Sequence, residues 1–264
     1  MPNQYNQPDR GKIKIRTNSK TEFPVMEIFG PTIQGEGMVI GQKTIFIRTG
    51  GCDFHCNWCD SAFTWNGTTE PEYITGLEAA KRILKLAFND KGQQICNHVT
   101  LTGGNPALIG EPMQEMITEL KKYGFKFGLE TQGTRYQEWM KEVSDITLSP
   151  KPPSSGMRTN MKILEKIIER FNEEGLEWSF KIVIFDDVDL AYARNLFQEF
   201  AHLMRPVNYL SVGNANAYEE GKISDRLLEK LGWLWDKVFE DPAFNNVRPL
   251  PQLHTLVYDN KRGV

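Results

Sequence analysis

Residues 50–65 read GGCDFHCNWCDSAFTW, with Cys52, Cys56 and Cys59 in the spacing C-x3-C-x2-C. They are three of only four cysteines in the chain, so the thiols are concentrated on one short loop. Three thiolates so spaced can hold three irons of a four-iron cluster and leave the fourth iron open to a small molecule. Aromatic neighbours such as Phe54 and Trp58 limit solvent and tune the potential of such a cluster. The competing reading is a structural zinc site whose fourth ligand comes from His55, Asp60 or Cys96. Zinc sites of that kind usually pair two short knuckles from separate segments, and this chain has one knuckle. Cys96, alone ahead of a strand, reads as a buried, inert thiol.

Around this loop, short apolar runs alternate with longer amphipathic ones. Strands are expected at 25–29, 44–48, 98–101, 127–130, 146–148, 180–185, 209–212 and 247–250. Helices are expected at 75–88, 112–123, 135–141, 159–172, 187–204 and 222–239. In the fourth helix Ile163, Leu164, Ile167, Ile168 and Phe171 form one apolar stripe. Such alternation predicts an α/β fold with a mainly parallel sheet. Glycine-rich or polar peptides follow the strands: Arg48-Thr-Gly-Gly-Cys52, Thr102-Gly-Gly-Asn-Pro106, Glu130-Thr-Gln-Gly133, Ser149-Pro-Lys151, Ser211-Val-Gly-Asn214 and Pro251-Gln-Leu-His254. In barrel-like α/β folds these strand ends share one face, where active sites are built.

The chain has 264 residues, 40% hydrophobic and 25% charged, which is enough for one domain with a substantial core. We expect residues 1–22 to be a polar, mobile extension and residues 23–264 a single domain. The formal net charge of -3 excludes bulk nucleic-acid binding, which needs a basic excess. No apolar stretch reaches the length of a membrane span, and the start of the chain lacks the shape of a signal peptide. Clustered thiols without a disulfide framework point to the cytoplasm.

The cysteine loop after an early strand resembles the signature of the radical S-adenosylmethionine superfamily. Thr102-Gly-Gly-Asn-Pro106 is similar to that superfamily's Gly-Gly-Glu-Pro peptide, with Asn105 in place of the usual Glu. Glu27-Ile-Phe-Gly-Pro-Thr-Ile-Gln34-Gly-Glu36-Gly37, Cys59-Asp-Ser61, Ser149-Pro-Lys-Pro-Pro-Ser and Leu250-Pro-Gln-Leu-His254 extend the likeness. From about residue 24 to 264 the chain resembles the 7-carboxy-7-deazaguanine synthase family.

The resemblance implies a partial TIM-like β/α barrel of the radical S-adenosylmethionine type. It implies one [4Fe–4S] cluster on Cys52, Cys56 and Cys59, catalytic S-adenosylmethionine, and Mg2+ on Ser61. The implied reaction is ring contraction of 6-carboxy-5,6,7,8-tetrahydropterin to 7-carboxy-7-deazaguanine with loss of ammonia, a lyase step toward queuosine. Ile33, Gln34, Gly35, Arg48, Thr102 and Val264 would hold the pterin. Arg48 would meet its carboxylate with a bidentate fork that lysine cannot reproduce. Trp58, Cys59, Asp60, Gly104, Ser149, Pro150, Lys151, Ser211, Val212, Gly213 and Asn214 would line the cofactors. Glu130 or Glu36 would move protons. A flavodoxin or ferredoxin would supply the electron, and the chain would form a homodimer. The alternatives are an activase that acts on a partner protein and a zinc-binding interaction module without activity.

Overall fold

The computed structural model describes residues 21–205, 207–216, 219 and 223–263. Residues 1–20 of the expected extension, and Val264, lie outside the described residues.

The fold follows from strands whose two faces differ. Ile45 and Ile47, Val99 and Leu101, Phe127 and Leu129, Ile146 and Leu148, Phe180 and Ile182, and Leu210 and Val212 are all buried in one apolar cluster. The residues that alternate with them are mostly polar: Arg48, Thr102, Glu130, Ser149 and Lys181 line a central cavity. Successive strand residues point to opposite faces, so the apolar set meets the helices while the polar set turns inward.

The strands in question are β1 (Glu22–Ile33), β2 (Lys43–Thr49), β3 (Glu72–Thr75), β4 (His98–Gly103), β5 (Lys126–Thr131), β6 (Asp145–Leu148), β7 (Trp178–Ile184), β8 (Asn208–Val212) and β9 (Val247–Leu250). Among the described residues they form one sheet in the order β3-β1-β2-β4-β5-β6-β7-β8-β9. From β2 to β9 every neighbouring pair is parallel. The sheet does not close, which makes it a partial barrel. Two strands depart from the expected parallel pattern: β1 runs antiparallel to β2, and the short edge strand β3 runs antiparallel to β1.

The helices are α1 (Gly76–Ala87), α2 (Glu111–Lys121), α3 (Met161–Glu173), α4 (Asp187–Glu199), α5 (Ser224–Glu240) and α6 (Leu253–Tyr258). Three of them, α1, α3 and α4, are capped at their starts by side chains. The Glu78 amide donates to Thr75, the Ile163 amide to Asn160, and the Val188 and Asp189 amides to Asp186. On α3, Leu164, Ile167, Ile168 and Phe171 are buried. Their burial contributes roughly 6–12 kcal/mol before chain entropy is counted. Ile163 is 43% exposed, because it sits at the edge of the stripe rather than within it.

Two expected helices change substantially, and the others keep their expected bounds to within two residues. The segment 135–141 forms only a tight 3-10 turn at Glu138–Glu142, which buries the adjacent Trp139 and Met140 together. The helix expected to reach residue 204 stops at Glu199, where the buried Phe200 leaves helical geometry. The helix expected from residue 222 begins at Ser224. α6 and β3, at six and four residues, were too short for a periodicity to show.

β1 delivers its last residues to the opposite end of the barrel from the cysteine loop, since Ile33 pairs with Lys43 at the start of β2. The chain then turns inward. Residues Gly37–Val39 pack against β6, β7 and β8, and the Met38 amide donates to Thr147 Oγ1 at 3.2 Å. Gln34, Gly35 and Glu36 therefore form the floor of the cavity, not part of its upper rim.

Candidate active site

The inner face of the sheet surrounds a cavity of about 500 Å3. Cys52, Cys56 and Cys59 line one side of it. Burial pushes the Cys52 thiol up to about 11, and burial together with Asp60 pushes Cys59 up to about 12; Cys56 also moves up through burial. Such thiols become thiolates only beside a strong cation, so this donor set suits a metal group and not free nucleophiles. Among the described residues no three His, Cys, Asp or Glu side chains are arranged to hold a single metal ion. A cluster is gripped at its corners, so its cysteines need not converge on one point.

Cys96 takes no part. Its Sγ lies 3.7 Å from the Lys43 carbonyl, at the start of β2, whereas Cys52 follows the end of that strand. A strand of this length spans about 20 Å. The zinc reading therefore loses Cys96, and His55 packs edge-on against Trp65 with ring centroids 4.9 Å apart.

Next to the cysteine loop lies the turn after β4. A Cβ on Gly104 would collide with the Gly51 carbonyl and stand 3.1 Å from Cys52 Cβ. Only a bare backbone lets these two loops meet. Asn105 is fully buried and its amide is already engaged. Nδ2 donates to Asp53 and Thr134, each at 3.0 Å, while Oδ1 accepts from Thr131 at 2.8 Å and the Ala107 amide at 3.2 Å. Its role is to lock the loop, and it does not line the cavity. Gln132 adds a bond to Asp53 and one to Cys52 Sγ at 3.5 Å.

Further along this side, Lys151 Nζ donates to the Ser149 carbonyl at 2.9 Å and to its hydroxyl at 3.0 Å. Trp58 Nε1 donates to Ser154 Oγ at 2.9 Å, and its ring stands 5.0 Å from Phe185. Asn214 lines the cavity, and its Nδ2 donates to Asn260 at 2.7 Å. The structure does not bring Pro150, Ser211, Val212 or Gly213 into the cavity lining. Val212 points into the outer core. The Ser211 hydroxyl is buried and has no hydrogen-bond partner among the described residues.

Arg48 stands beside the cysteine loop with an aromatic lining around it. Arg48 Nε donates to Glu27 at 2.7 Å and Nη1 to Ser61 Oγ at 2.8 Å. Its guanidinium lies 6.0 Å from the Phe29 ring centroid and 5.8 Å from that of Phe63. Ser61 in turn donates to Asp60 at 2.9 Å. Arg262, near the end of the chain, donates to the second Glu27 oxygen at 2.8 Å and stacks 3.5 Å over Phe63. Thr102 and Ile33 also line the cavity.

The floor holds the strongest electrostatics. Lys181 is buried in the middle of β7, its ammonium bonded to Glu36 and 4.0 Å from Glu130. Gln252 donates to the other Glu36 oxygen. The Gln34 amide donates to Glu130 at 3.3 Å. Burial alone would raise Glu36, but the charges of Lys181 and His254 and the bonds from Lys181 and Gln252 outweigh it and hold the carboxyl down to about 2. Glu130 moves the other way: burial and the Glu36 charge raise it, and Lys181 offsets them only in part. Burial works against the Lys181 ammonium, yet the two glutamates raise its pKa. Gly35 presses so closely on His254 that a Cβ would stand 2.7 Å from the His254 amide nitrogen.

Lys181 and Arg262 were given no role from the sequence, and Gln252 and His254 only a place in the strand-end peptide Pro251-Gln-Leu-His254. The signal for Lys181 was present: a lone lysine inside the apolar run Phe180-Lys-Ile-Val-Ile184 needs a buried partner.

Comparison with known proteins agrees with this geometry. The family model for the Radical SAM superfamily matches residues 46–198. The protein named 7-carboxy-7-deazaguanine synthase from Bacillus subtilis (strain 168) is 47% identical over 246 residues, covering 92% of this chain and 98% of its own. The crystal structure of QueE from Escherichia coli shares the fold, with TM-score 0.58 at 22% identity, over 88% of this chain and 95% of that one. The structure of anSMEcpe with bound AdoMet shares it at TM-score 0.53 and 20% identity, over 79% of this chain and 62% of that one. No helix among the described residues is long and apolar enough to cross a membrane.

Proposed function

The chain belongs to the radical SAM superfamily and, within it, to the 7-carboxy-7-deazaguanine synthase family, and from that premise we propose that its cavity contracts 6-carboxy-5,6,7,8-tetrahydropterin to 7-carboxy-7-deazaguanine and ammonia. The observation that supports this most directly is that one cavity is lined both by the three thiols and by Glu36, Lys181, Glu130 and Arg48. When bound, the [4Fe–4S] cluster and S-adenosylmethionine supply the one-electron chemistry that removes and returns a substrate hydrogen.

The residues supply position and proton control. Gln34, Gly35, Glu36 and Gln252 offer donors and acceptors at the floor for the polar edge of the pterin, and Ile33 gives it an apolar contact. Arg48 receives the substrate carboxylate. Ser61 and Asp60 offer hard oxygen ligands to Mg2+ beside it. Trp58, Gly104, Ser149, Lys151 and Asn214 hold S-adenosylmethionine against the cluster. Pro150, Ser211, Val212 and Gly213 act from behind that wall, through backbone and packing. Enclosure keeps water from the reactive centre and fixes the two molecules in one geometry. A flavodoxin or ferredoxin delivers the electron, the enzyme works as a homodimer in the cytoplasm, and the single catalytic domain takes in Glu22, which was expected in the extension but opens β1.

The test is anaerobic incubation of the iron-reconstituted, reduced protein with S-adenosylmethionine, Mg2+ and the carboxypterin, followed by mass analysis. The deazapurine and one ammonia per turnover are expected. Cleavage of S-adenosylmethionine with the pterin left intact would overturn the substrate assignment.

A further inference from the structure

The floor of the cavity contains one lysine and two glutamates, drawn from three parts of the chain. Lys181 comes from the middle of β7, Glu130 from β5, and Glu36 from the segment that crosses beneath the barrel. The two acids are treated differently. Both Glu36 oxygens accept hydrogen bonds, one from Lys181 and one from Gln252. That arrangement suits an ionised carboxylate. Glu130 accepts from the Gln34 amide at Oε1, and its Oε2 has no donor among the described residues. Lys181 stands 4.0 Å from it. The charged groups that face Glu130 are Lys181, Glu36, Lys151 and Asp60, and those that face Glu36 are Lys181 and His254.

We propose that Lys181 is a positioning residue that closes on Glu36 to make it a fixed anion and leaves Glu130 to carry the proton used in the release of ammonia. The inference rests on the ring-contraction reading above. In the elimination, the carbon–nitrogen bond breaks with its electron pair on nitrogen, and nitrogen takes the Glu130 proton. The carboxylate so formed is balanced by Lys181. It then accepts the proton of the adjacent ring carbon, and Glu130 returns to its starting form. Lys181, the cation that reaches both acids, supports one anion at rest, and it tolerates the second only while the reaction passes through it. Burial of Glu130 raises its affinity for the proton, as a general acid at neutral pH requires.

Infrared titration of the reconstituted holoenzyme, carrying carbon-13 glutamate, reads the two carboxyls directly. The wild type should show one protonated carboxyl band that outlasts the ordinary carboxylates as the pH rises and is absent in Glu130→Gln. Lys181→Met should add a second such band, from Glu36, and Lys181→Arg should restore the wild-type pattern. In Glu36→Gln, Lys181 is released to Glu130, and the band should disappear at a lower pH. Product formation in Lys181→Met should fall on the order of 100-fold, while uncoupled cleavage of S-adenosylmethionine falls far less, since among the described residues Lys181 bonds to Glu36 and not to the cysteine loop. Bands indifferent to Lys181→Met and Glu36→Gln would overturn the proposal. If Lys181→Met does not fold, the Glu36→Gln titration decides alone. A wild type that releases no deazapurine would count against the reaction, and the spectra would still judge Lys181.

Discussion

Arg48 engages two partners through different nitrogens, Glu27 through Nε and Ser61 through Nη1. A lysine offers its donors from one point and cannot reproduce the planar reach of a guanidinium, whose separate nitrogens meet the two partners. Arg48→Lys should therefore raise KM for the carboxypterin by about 10–100-fold, or roughly 1.4–2.8 kcal/mol. Uncoupled cleavage of S-adenosylmethionine should be little changed. Steady-state kinetics with each substrate varied in turn checks this, and equal losses for both would remove Arg48 from the substrate site. Glu36 makes a claim about pH. Its carboxyl is held near 2 from an ordinary 4.5, so the stability it contributes is complete above 4.5 and is lost as the pH falls through about 2. The loss is roughly 3 kcal/mol. Urea unfolding from pH 5 downward should show that decline in the wild type, and Glu36→Gln should flatten it.

At the scale of elements, two loops meet on bare backbone. The Gly104 amide donates to Thr49 at 3.0 Å and the Asn105 amide to Gly51 at 2.8 Å, which fastens the turn after β4 to the cysteine loop. Gly104→Ala places a methyl group against the Gly51 carbonyl and must shift that loop. Circular dichroism should be unchanged, while iron and sulfide retained per chain after reconstitution should fall by at least about half. Full retention would show that the contact is dispensable. The same pair of loops explains which features were readable in advance. Cysteine spacing and glycine pairs are local, so the sequence announces them. The locking of Asn105 by Asp53, Thr131 and Thr134 depends on loops that meet only in the fold. The strands were legible because apolar and polar residues alternate along them. The antiparallel course of β1 was not, since periodicity carries no direction.

At the scale of the whole molecule, the site joins the two ends of the described chain. Arg262 reaches Glu27, Gln252 reaches Glu36, and the Leu253 amide donates to the Gly35 carbonyl at 3.0 Å. Long-range pairing of this kind leaves no local signature, which is why His254 and Arg262 went unassigned while Gln34 and Glu36 stood out in a glycine-rich turn. The Arg262–Glu27 pair is partly exposed and adds under about 1 kcal/mol to stability. Arg262→Ala should leave the melting temperature within a few degrees of wild type. It should raise KM for the pterin several-fold, because Glu27 then claims Arg48 more fully. A large drop in melting temperature would reassign Arg262 to the framework.

The bond between Gln252 and Glu36 spans 216 residues. A ribosome releases the cysteine loop and Glu36 long before it releases Gln252, so during synthesis the metal-binding loop exists before the last residue of the floor that faces the same cavity. An iron centre acquired early by the nascent polypeptide would meet oxygen through an unfinished wall. Productive maturation thus belongs after translation has ended, and delivery of iron and sulfide is best timed to the completed chain.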